Sequence, residues 1–82
     1  MNEELRLKYF QPENYIGSSI SQDMIGLPVV WERQGAICIG VLRDIPEEIT
    51  PDTEVGVLLR EVNGRNASSQ LRMKTNILYK LV

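Results

Sequence analysis

The sequence predicts a mainly β domain, a small β-barrel or compact β-sandwich with an extended N-terminal arm and at most one short helix. Three observations predict it. Residues 36–42 and 55–59 are apolar on nearly every successive position, as in strands covered on both faces. Turn signals bound these runs, Glu32–Gly35 before the first and Asn63-Gly64 after the second. No stretch keeps a 3.6-residue apolar period over three turns.

The elements follow in chain order. In residues 1–16, Leu5, Leu7 and Tyr9 alternate with Arg6, Lys8 and Phe10, which suits a short strand. Pro12 ends it, and a polar, turn-like segment follows. The division is therefore an arm or first strand over 1–16 and a β domain over 17–82. Such an arm folds back on its own domain or adds to the sheet edge of another chain. Leu27–Trp31 and Ala36–Leu42 read as a hairpin around a turn at Glu32–Gly35. Gly40, inside the second of these strands, suggests a bulge or a tight corner. Pro46 and Pro51 bracket an acidic stretch and preclude a long helix there. Glu54–Val62 is another strand, ending at Asn63-Gly64, where both residues tolerate positive φ. Residues 66–73 are open between strand and one helical turn capped by Asn66. Ile77–Val82 returns to strand.

At 82 residues the chain has one thin core, and small domains of this kind gain stability from disulfides, metals or association. Cys38 is the only cysteine and histidine is absent, so an internal disulfide is excluded and a structural zinc site lacks its ligands. Association with other copies is what remains. The lack of His also removes the commonest general base and every Ser-His or Cys-His pair. Cys38 lies within an apolar run, where a buried and inert thiol is expected. The expectation is a protein that is no enzyme and carries no cofactor. No apolar run reaches the length of a membrane span, and the first residues lack the apolar region of a secretory signal, which predicts a cytoplasmic site of synthesis.

The net charge of −2 conceals an asymmetry. Residues 1–59 carry ten acids and four bases, whereas residues 60–82 carry five bases and one acid. Asp44, Glu47, Glu48, Asp52 and Glu54 fall within eleven residues without a base. Either acidic loop and basic strand complement each other between copies, or both are simply solvated. Arg60, Arg65, Arg72, Lys74 and Lys80 with Tyr79 would furnish a face for single-stranded nucleic acid. The overall acidity and five aromatic residues argue against that class. A third reading is a small accessory or inhibitor protein that meets a cellular enzyme through Glu47 and Glu48.

From Gly35 to Met73 the layout resembles the head-decoration, or cement, proteins of tailed bacteriophages. The string Ile39-Gly40-Val41-Leu42 leads into the acidic RDIPEEITPDTE, followed by Val55-Gly56-Val57-Leu58-Leu59-Arg60-Glu61-Val62-Asn63 and then Leu71. About half the chain takes part; the chain is shorter than is usual in that family and lacks its long helix near the C-terminus. The resemblance implies a structural protein on the virion surface, associated as a trimer, with the major capsid protein as partner. Its N-terminal arm would lie along a capsid subunit. On that reading Leu5, Leu7, Tyr9 and Phe10 are the apolar anchors and Glu47 and Glu48 the acidic contacts.

Overall fold

A computed structural model describes residues 3–82. Five strands form one antiparallel sheet: β1 (Pro28–Arg33), β2 (Ala36–Asp44), β3 (Glu54–Val62), β4 (Arg65–Lys74) and β5 (Tyr79–Lys80). Their spatial order is β4-β3-β2-β1-β5. The fold is mainly β, as the apolar runs require. The sheet is open, with β4 and β5 as its edges, and does not close into a barrel.

Two tight turns set the meander. β1 and β2 are joined by Gln34 and Gly35 (φ 52° and 81°), β3 and β4 by Asn63 and Gly64 (φ 50° and 79°). Both central residues are left-handed in each, the geometry whose twist matches paired strands. The first turn is tighter than Glu32–Gly35, because Glu32 and Arg33 stay in the ladder opposite Ile37 and Ala36. Asn63 does more than turn: its Oδ1 accepts the Ile37 N–H at 2.9 Å, and its own N–H donates to the Ile37 carbonyl at 2.8 Å. This ties the second turn to the start of β2.

Gly40 sits where the β2–β3 register shifts. A Cβ there would lie 2.5 Å from the Leu58 carbonyl oxygen and 3.1 Å from Cη2 of Trp31. The glycine thus makes room for the largest side chain of the core while Arg60 forms the extra residue of a bulge on β3.

Alternation along the strands divides the sheet into two faces. The first carries Val29, Trp31, Cys38, Leu42, Val55 and Val57, all buried in one cluster. Ile16 and Ile20 from the segment before β1, Ile45 from the β2–β3 connection, and Leu78 complete it. The covering segments are fastened by backbone bonds: Gly26 N–H to Leu42 O at 2.7 Å, Leu42 N–H to Leu27 O at 3.0 Å, and Ile16 N–H to Leu78 O at 3.2 Å.

The N-terminal segment departs from the expected strand. Glu3–Tyr9 form a helix, α1. Acids in its first turn and bases in its last oppose the helix dipole favourably. The Gln11 side-chain amide donates to the Leu7 carbonyl at its C-terminus, and Pro12 opens the next turn. The segment lies back against its own sheet, as a helix and not as a strand. Residues 66–73, open between helix and strand, are strand in β4. The C-terminal strand is shorter than expected: Thr75–Ile77 make a 3₁₀ turn, and only Tyr79 and Lys80 pair with β1.

Candidate partner-binding surface

The second face of the sheet carries Val30, Ile37, Ile39, Val41 and Leu58, the residues that alternate with the core set. Val30 and Ile37 are buried and the other three are half-buried. α1 lies on this side. Arg6 donates from Nη2 to both carboxylate oxygens of Glu32, at 2.9 and 2.8 Å, an ion pair open to solvent. Phe10 meets Tyr79 edge-on at 5.1 Å between centroids, and Tyr79 meets Tyr15 likewise at 5.3 Å. Tyr15 also forms an isolated antiparallel bridge to Tyr79, prolonging the sheet by one residue beyond β5.

At 100° per residue, Arg6 and Phe10 occupy the middle of the sheet-facing arc of α1. Leu5 and Tyr9 fall on one flank, Glu3 and Leu7 on the other. Two clefts follow from this. One, of about 570 Å³, runs along the Leu7 flank to Phe10, Glu32, Ile77 and Tyr79. The other, of about 530 Å³, lies between Leu5 and Tyr9 on the helix and Ile37 and Ile39 on the sheet. Leu7 is 64% exposed and Leu5 38%. Arg6 on the helix and Phe10 just after it reach the sheet, and the leucines lie at the rims.

The four apolar candidates are thus brought together, Leu5, Leu7 and Tyr9 on α1 and Phe10 directly after it. Glu47 and Glu48 are not brought to them. These acids are exposed in the connection between β2 and β3, whose Ile45 and Ile49 join the first-face core. The two groups serve opposite faces of the sheet.

The charge asymmetry is partly resolved within the chain. Arg72 Nη1 lies 3.0 Å from Asp44 Oδ2, and Lys74 Nζ 3.8 Å from Asp52 Oδ1. Acidic connection and basic strand therefore meet in one molecule. The basic-aromatic face considered for nucleic acid is divided: Arg65, Arg72 and Lys74 are on β4, whereas Tyr79 and Lys80 are on β5 at the far edge. Among the described residues no three acidic or Cys side chains converge as a metal site, and no helix is long and apolar enough to cross a membrane. Burial raises the Cys38 thiol pKa, an effect that nearby Arg33 partly offsets.

Sequence reasoning missed two contributors. Glu32 and Tyr79, which seat the helix, carry no local signal, since each acts through a partner far along the chain. The edge position of β4 was hidden by the polar run Asn66–Gln70, although Leu71 and Met73 have the period of a half-buried strand. Compared with protein-family models, curated proteins and solved structures, the chain matches none of them.

Proposed function

We propose that this chain is a non-catalytic structural protein that docks on a larger protein assembly through α1 and the adjoining clefts. The observation that carries this reading is the placement of Leu5 and Leu7. Both are exposed on a helix whose own anchorage is an open ion pair and a ring contact. Buried apolar anchors with an aromatic neighbour are what a protein interface draws its energy from. Leu5, Leu7, Tyr9 and Phe10 supply such a set in one place. Glu47 and Glu48 form a separate, charged rim on the other side.

The partner in this proposal is the one the sequence resemblance implies, the major capsid protein of an assembled phage head, with the chain as a trimeric cement protein on the virion surface. A ligand that binds only the assembled lattice stabilises it by mass action. The test is co-sedimentation with expanded capsid shells stripped of their decoration protein. The expected result is saturable binding that Leu5→Asp with Leu7→Asp reduces at least about tenfold, the equivalent of losing one apolar hot spot. No binding by the unaltered protein overturns the capsid assignment. Undiminished binding by the double variant overturns the role of α1. Mass measurement in solution tests the trimer separately.

A further inference from the structure

β4 is an edge strand of ten residues whose outer side has no neighbour in the sheet. Among the described residues, no backbone bond outside the ladder to β3 engages it. In an antiparallel strand, alternate residues turn both N–H and C=O away from the one neighbour they have. Proteins usually blunt such an edge by keeping it short or by placing proline, charged side chains or a bulge on it. β4 is long and contains no proline; its charges, Arg65, Arg72 and Lys74, stand at its ends and are all of one sign, and Asn66–Leu71 carry none. The single irregularity, a register shift near Leu59 and Glu61, leaves Ser69–Lys74 in continuous pairing with β3.

The core is also unfinished at this edge. Leu71 and Met73 pack against the first-face cluster yet stay only half-buried, as do Leu59 and Val62 behind them. A further strand would cover them with its own alternate side chains. Charge selects what that strand is. Arg65 stands at one end of β4, Arg72 and Lys74 at the other, and the strand has no acid. Two copies of β4 pairing about a two-fold axis would set Arg65 of each beside the Arg72 and Lys74 end of the other, placing like charges together. The contacts of Arg72 and Lys74 with Asp44 and Asp52 are open to solvent and leave both cations within reach of a competing carboxylate.

We infer that β4 is a docking edge for an extended acidic segment of another protein. The segment adds as a sixth strand, with apolar side chains over Leu71 and Met73 on the first face and carboxylates against Arg72 and Lys74 on the second. Backbone pairing supplies the attachment, and the alternate side chains supply the choice of sequence. This edge is distinct from α1, which lies over the second face of the sheet between Tyr79 on one flank and Ile37, Ile39 and Glu61 on the other.

The probe is a synthetic peptide of alternating Val and Glu, as long as the strand, added to the full chain. Amide hydrogen exchange by NMR should show new protection at alternate residues within 66–73. Binding should be about tenfold tighter than for the Val/Lys counterpart and should vanish when alternate peptide nitrogens are methylated. Arg72→Glu with Lys74→Glu should invert the preference between the two peptides. Equal binding of both peptides, protection at α1 instead of β4, or no binding overturns the inference. So does concentration-dependent self-protection of β4 without peptide, which would make a second copy the occupant. Leu5→Asp with Leu7→Asp should leave peptide binding unchanged, so the test is independent of the α1 proposal.

Discussion

On the first face of the sheet, the covering segments are fastened by backbone hydrogen bonds, and side chains such as Trp31, Leu42 and Leu78 lose all contact with water. On the second, a seven-residue helix with no buried side chain is held by contacts that include an exposed ion pair and, just past its end, a ring. A helix of that length has little stability of its own, because nucleation is costly and few bonds repay it. The same sheet thus has one face that holds the fold together and one whose cover can be exchanged with small loss. Most of the buried apolar core is concentrated on one side of the domain, and the proposed docking helix lies on the other.

Mutations should separate the two faces by size of effect. A chain of this length has about 4–12 kcal/mol of stability in all. Trp31→Ala empties the centre of the first face and should cost about 3–5 kcal/mol, seen as a fall in the urea midpoint by circular dichroism. Loss as small as that of a surface change would mean the core is not where the cluster places it. Gly40→Ala forces a methyl group against the Leu58 carbonyl and Trp31, and should cost about 1–3 kcal/mol in the same measurement.

Cys38 gives a pH-dependent version of the comparison. Its folded thiol pKa is raised, chiefly by burial, so the native state keeps its proton while the unfolded chain ionises above about 8.5. Stability from this group is complete below the unfolded value and is lost as pH rises through the folded one. Cys38→Ala should flatten the decline in stability over that alkaline window; an unchanged slope would assign it to other groups. The smallest effect belongs to the second face. Arg6→Ala removes an exposed pair worth about 0–1 kcal/mol and should barely move the melting temperature, while amide exchange in Glu3–Tyr9 accelerates. A large loss of global stability would show that α1 is part of the core after all.

The legibility of the sequence follows the same division. β2 and β3 were readable because burial on both faces writes itself as continuous apolar runs, and Asn63-Gly64 dictates its turn locally. The helix was not readable. Leu5, Leu7 and Tyr9 have the period of a strand, and what makes them helical is seating on Glu32 and Tyr79, 26 and 69 residues from their partners Arg6 and Phe10. β4 was obscured for the opposite reason: an edge strand lacks a neighbour on one side, so Asn66–Gln70 need not be apolar. Of the six candidate contact residues, the four apolar ones lie on α1 and its C-terminal end because they are near in sequence. Glu47 and Glu48 part from them because the sheet stands between.

The pairing of β1 with β5 carries a kinetic consequence. Val29 and Val30 find their partners Lys80 and Tyr79 about fifty positions downstream, with three other strands in between. Loop closure over that span is entropically slow, whereas the two tight hairpins form early. Leu78 belongs to the interior, so the meander stays greasy and sticky until the last strand arrives to close it. Crowded synthesis would then favour clumping of half-made sheets, and slow, dilute or cool refolding should raise the yield of native protein.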